Sequence, residues 1–103
     1  GYYKGTPGAG FAYTFGTNVT RVAFNPSGTL ASGYVTLPAA PNDGMRACVF
    51  TTGTITALYV AANTNQSITN AGGFSSGVTS VALSANTQAC FLYGSSNATW
   101  DRD

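Results

Sequence analysis

Histidine and glutamate are absent from this chain, and its carboxylates are only Asp43, Asp101 and Asp103. A general acid and base would have to be assembled from one mid-chain aspartate and a pair at the extreme C-terminus. Asp43 stands in Asn42-Asp43-Gly44, whose residues tolerate the left-handed backbone angles of a tight turn, and turn formation accounts for it. The two cysteines have no histidine or carboxylate neighbours to make a metal site or an activated thiol. No Gly-x-Ser-x-Gly elbow or phosphate loop occurs, and Gly8-Ala9-Gly10 is too short to serve as a nucleotide motif. The chain is therefore expected not to be an enzyme and to hold no cofactor or metal.

Charge is scarce as well: 7% of residues are ionic, against about 25% in ordinary soluble domains. Lys4, Arg21, Arg46 and Arg102 are scattered, so no basic stripe follows a phosphate backbone and nucleic acid is not an expected partner. The apolar runs fall well short of the roughly 20 residues that cross a bilayer as a helix, and no charged-then-apolar leader opens the chain, so membrane insertion is not expected. Gly1-Tyr2-Tyr3-Lys4-Gly5 reads as a chain already under way.

What replaces charge is 15 Thr, 9 Ser and 8 Asn. Threonine favours strands, whereas serine and asparagine favour turns. With 13 glycines and no helical apolar period, the balance predicts an all-β protein. Its 103 residues allow one domain. Residues 1–10, rich in glycine and carrying Pro7, are expected to form an irregular N-terminal arm, followed by a single β-sandwich domain over 11–103.

Strands are predicted from two-residue alternation. Phe11, Tyr13 and Phe15 share one face; Val22 and Phe24 share another, with Arg21 opposite. Thr29 to Leu37 follows, with a bulge or bend expected at Ser32-Gly33. Pro38 and Pro41 then force a corner, after which Met45–Thr51 and Ile55–Val60 resume. Further strands are read near Ser67–Asn70, Val78–Leu83 and Gln88–Tyr93, and Phe74 is expected to fold back from its loop onto the body. About eight short strands at 8 to 12 residue spacing predict an antiparallel β-sandwich of jelly-roll kind. Ile55–Thr64 and Val78–Thr87 echo each other, ITALYVAANT against VTSVALSANT, as two strands leaving a sheet through the same Ala-Asn-Thr corner; two copies are too few for a solenoid. Cys48 and Cys90 both lie inside predicted strands, where buried cysteine acts as a small apolar residue. Free thiols are the expectation; the alternative, a disulfide, would be worth about 4 kcal/mol in the loop-entropy account.

Exposed aromatic rings stack on sugars while amides and hydroxyls bond sugar hydroxyl groups. Tyr59, Asn63, Tyr93 and Trp100 are the candidate ligand-binding residues on that basis. Packing in a core or a subunit interface is the ordinary role for such aromatics.

Four segments carry a resemblance. Leu37-Pro38-Ala39-Ala40-Pro41-Asn42-Asp43-Gly44 with the strand after it, Ile55-Thr56-Ala57-Leu58, the corner Ala62-Asn63-Thr64-Asn65-Gln66-Ser67-Ile68, and Thr99-Trp100-x-Arg102 together resemble the β-rich C-terminal modules of tailed-bacteriophage tail fibres and tailspikes. The likeness covers about Val35 to Asp103, and Asp101 stands where such modules often have an aromatic. It implies a homotrimer in the virion tail, made in the bacterial host cytoplasm, serving trimerisation and attachment to host surface polysaccharide or lipopolysaccharide. The alternatives are a carbohydrate-binding module of a secreted enzyme and a purely structural capsid or adhesin domain.

Overall fold

The computed structural model describes residues 2–16, 19–69 and 75–102. These residues form eleven strands and no helix, so none is long and apolar enough to cross a membrane. In chain order they are β1 (Tyr2–Gly5), β2 (Phe11–Thr14), β3 (Arg21–Phe24), β4 (Leu30–Thr36), β5 (Arg46–Thr51), β6 (Ile55–Ala61), β7 (Ser67–Thr69), β8 (Ser75–Ser76), β9 (Val78–Leu83), β10 (Thr87–Gly94) and β11 (Thr99–Arg102). A seven-stranded sheet has the order β1-β3-β5-β10-β11-β7-β8, and a four-stranded sheet the order β2-β4-β6-β9.

Odd-numbered β1, β3 and β5 lie parallel in the larger sheet, and even-numbered β2, β4 and β6 lie parallel in the smaller one. The first half of the chain therefore winds from sheet to sheet, each strand of one sheet acting as the crossover that a parallel pair in the other requires. The corners stack coil on coil: Asn25 N–H donates to Gly5 O at 2.8 Å and Thr52 N–H to Phe24 O at 3.0 Å. The second half closes by antiparallel pairing, β6 with β9, β5 with β10 and β10 with β11.

The all-β expectation holds, but the antiparallel expectation is corrected to two mixed sheets. Turns such as Asn25-Pro26-Ser27-Gly28 do not reverse the chain within a sheet; they carry it across the gap to the opposite one, a path unlike a jelly roll's antiparallel keys. The count of about eight strands rises to eleven among the described residues. One gain comes from the supposed arm: Tyr2–Gly5 pairs with Arg21–Phe24, leaving only the glycine-rich segment after it irregular. The turn read at Gly16-Thr17-Asn18 and the packing of Phe74 lie at least partly outside the described residues.

The inner faces of the two sheets share one core. Val22, Phe24, Val49, Phe91 and Trp100 from the larger sheet meet Val35, Leu58, Val60 and Leu83 from the smaller. Burying each such side chain is worth about 1.5–3 kcal/mol. At the end of the winding, Tyr3 stacks on Tyr13 with ring centroids 4.3 Å apart, and Phe11 lies 4.7 Å from Phe24. Burial, with Tyr3 beside it, pushes the Tyr13 phenol above its ordinary pKa. Gly33, the residue expected at a bend, is instead the floor beneath Phe11: a Cβ there would lie 2.1 Å from Phe11 Cε1.

The thiol expectation is also corrected. Cys48 and Cys90 are register partners on β5 and β10 and are joined as a disulfide. Alternation had placed each cysteine on a strand but not the two strands against each other. Both point to the outer face of the larger sheet, where the bridge spans two antiparallel neighbours.

Candidate functional site

Side chains that do not enter the core form two outer faces of different chemistry. On the larger sheet, register lines up Tyr2, Arg21, Cys48 and Cys90 in one row and Lys4, Ala23, Phe50 and Gln88 in the next. Ala23 is short, so the surface dips between Lys4 and Phe50. The result is an open groove of about 520 Å³ whose lining includes Tyr2, Lys4, Arg21, Ala23, Asn25 and Phe50. Lys4 Nζ stands 5.9 Å from the centroid of the Tyr2 ring, within cation–π reach. At one end Thr52 Oγ1 donates to Asn25 Oδ1 at 2.6 Å, turning the two Nδ2 donors of Asn25 away from that bond. Neither Lys4 nor Arg21 has a carboxylate partner among the described residues.

The outer face of the smaller sheet carries the rows Ala12, Tyr34, Tyr59, Ser80 and Thr14, Thr36, Ala61, Val78. None of its four strands contains a charged residue. Tyr34 is 43% exposed and Tyr59 42% exposed, side by side on adjacent parallel strands. Val78 is exposed beside them.

The four candidate ligand residues separate on this framework. Tyr59 alone among them presents its ring to solvent. Trp100 is fully buried and Tyr93 is buried against it, ring centroids 5.1 Å apart, so neither offers a face to a sugar. Asn63 is committed to the corner after β6: its Nδ2 donates to Leu37 O at 3.1 Å and its Oδ1 accepts from Thr64 N at 2.8 Å. These three side chains are held within the architecture of the sheet and its corners.

Sequence reasoning missed the residue that organises this corner. Gln66 Oε1 accepts from Trp100 Nε1 at 2.9 Å and from Asn63 N at 3.2 Å, while its Nε2 donates to Pro38 O at 3.3 Å and Ala39 O at 3.0 Å. One side chain thus gathers the proline corner, the Ala-Asn-Thr corner and the C-terminal tryptophan, three of the four segments that carry the resemblance. A glutamine in a polar corner gives no sign of this from its neighbours in sequence.

Asp43 is the turn residue it was read to be, with Gly44 at φ 79° and Met45 N–H donating to Asn42 O at 3.0 Å. Its carboxylate also reaches across to the β10–β11 connection, accepting from Ser95 N at 2.8 Å and Ser95 Oγ at 3.0 Å. These bonds, the backbone one first, hold its pKa below the usual carboxylate range. No family model, curated protein or solved structure matches this chain.

Proposed function

We propose that the chain is a module of a tailed-bacteriophage tail fibre or tailspike that trimerises through the outer face of its smaller sheet and attaches the virion to a host surface glycan. The observation that carries this reading is the complete absence of charge from the four strands of that sheet, on a face where Tyr34, Tyr59 and Val78 stand exposed. A neutral, hydroxyl-rich face can be dehydrated against a copy of itself without stranding an ion, which is costly. Three such faces turned to a common axis close a ring and leave the larger sheet outward. Tyr59 then becomes a subunit contact, and the outward groove becomes the surface available to glycan.

Convergence of three of the four resembling segments on Gln66 supports the same reading, because it gives those three one structural purpose. Light scattering on the purified chain tests it: a mass three times the 10.5 kDa of one chain is expected. A second reading rests on the same tyrosine pair. A flat platform of two neighbouring rings suits a monomeric carbohydrate-binding module, and a monomer whose affinity for a neutral glycan needs Tyr34 and Tyr59 would favour it over the fibre module.

A further inference from the structure

We infer that the groove on the outer face of the larger sheet is a binding site for an acidic saccharide, one whose sugar carries a carboxylate. The inference rests on the glycan-attachment reading above and adds the ligand's chemical class and the residues that recognise it.

Register sets the arrangement. Lys4 and Phe50 lie either side of Ala23 in a single row, two strand spacings apart, which is about 10 Å. Ala23 is the short residue that leaves the space between them. Arg21 and Tyr2 are neighbours in the adjoining row, so two cations and two aromatic rings converge on one groove. A sugar ring laid across Ala23 has an apolar wall at Phe50 and a ring at Tyr2. Arg21 supplies the planar donor fork that matches a carboxylate, and Lys4 adds a point charge beside it.

The charge distribution of the whole chain sharpens the inference. The chain has only four cations, and two of them line this groove. Asp43 and Asp101 are engaged elsewhere, with Ser95 and Thr69 respectively. Among the described residues the groove is lined by two cations and no carboxylate, so its local field is positive although the molecule is almost neutral. A neutral glycan would leave that field unused. Two cations are also too few to track a nucleic-acid backbone, whose binding draws on many phosphate contacts. Asn25, with Nδ2 donors unused by Thr52, supplies the hydroxyl-directed hydrogen bonding that distinguishes a saccharide from a bare anion.

The test uses the full chain in its solution assembly and calorimetric titration with oligogalacturonate, alongside the same oligomer methyl-esterified to remove its charge. Binding of the acid form, at least tenfold tighter than the ester and weakening as salt rises, is expected. Arg21→Gln should lower affinity about tenfold, the loss of one charge-assisted bond, and Tyr2→Ala should lower it severalfold. Both residues are exposed, so melting temperature and mass should stay at wild-type values. Equal binding of acid and ester would overturn the acidic assignment while leaving glycan attachment standing. Binding of neither would overturn both. Full competition by inorganic phosphate at the same concentration, or tighter binding of a single-stranded oligonucleotide, would overturn the saccharide assignment, and so would Arg21→Gln binding as wild type does.

Discussion

Gln66 shows how much of this fold depends on one uncharged side chain. An amide group can accept two hydrogen bonds at oxygen and donate two from nitrogen, and all four are used here. Its most consequential partner is Trp100, fully buried, whose indole N–H has no other acceptor. Gln66→Ala should cost about 2–3 kcal/mol, because an orphaned buried donor alone costs about 1–3 kcal/mol. Trp100→Phe removes that donor, so adding Gln66→Ala to it should cost at least about 1 kcal/mol less than in the wild-type background, the coupling a double-mutant cycle isolates. Urea denaturation of the four proteins measures this; equal costs in both backgrounds would show that the indole bond is not what Gln66 contributes. Asp43 offers a pH-dependent counterpart. Its folded pKa is depressed, so its contribution is present above the unfolded value, about 3.9, and is lost as pH falls through the folded value. Asp43→Asn should flatten the acid side of the stability curve below about pH 4, by a small amount given that the group is solvent-exposed and screened. Identical acid limbs for variant and wild type would remove Ser95 as its stabilising partner.

Elements take their places through pairing, and the Cys48–Cys90 bridge joins two that are already paired. Six residue pairs register β5 against β10, so backbone hydrogen bonds alone specify the alignment, and the bridge acts by closing the intervening 42-residue separation. The reduced chain is therefore expected to keep its far-ultraviolet spectrum and lose up to about 4 kcal/mol; unfolding on reduction at 25 °C would show that the bridge specifies the pairing. Gly33 is a second point where one element limits another. A methyl group there would displace the Phe11 ring from Phe24, and Gly33→Ala should cost about 1–3 kcal/mol as overpacking, read by thermal melting. Alternation in the sequence located most of these strands and some of their inward sides, as with Phe11, Tyr13 and Phe15 or Val22 and Phe24. It could not say which strands would be neighbours. Glycine, proline and asparagine mark a reversal within a sheet and a crossing between sheets with the same residues, so the parallel winding stayed hidden. For the same reason the cysteine pair and the meeting of Lys4 with Arg21 were invisible: both depend on register between strands distant in sequence. Whether Trp100 and Tyr93 pack or bind could not be decided from sequence, because an aromatic near a polar loop looks the same whether its ring turns outward or, as here, into the gap between sheets.

At the scale of the whole molecule, charge is sorted by sheet. Every charged residue lies outside the four strands of the smaller sheet, while Lys4, Arg21 and Arg46 sit on the larger one. In a monomer such sorting has a use only if the neutral face binds a ligand, since charge on either face would otherwise aid solubility. It suits an assembly in which one face is dried against copies of the chain and the other meets the medium. The strand edges β2 and β9 border that neutral face, and unpaired edges beside an uncharged sheet are an aggregation hazard unless a neighbour covers them. An aspartate introduced at Tyr34 or Tyr59 puts the argument to a direct test. Both positions are about two-fifths exposed in the isolated chain, so Tyr34→Asp or Tyr59→Asp should change the stability of one subunit by no more than about 1 kcal/mol. In an assembly closed through this face, each subunit would bring in a carboxylate with no cation on the neighbouring strands, a penalty of several kcal/mol per buried ion. Sedimentation at micromolar concentration should therefore show single chains for either variant, with acidic-saccharide affinity per site retained because the groove lies on the opposite sheet. A variant that keeps the wild-type oligomeric mass would move the subunit contact elsewhere and return the exposed tyrosine pair to the role of a sugar platform.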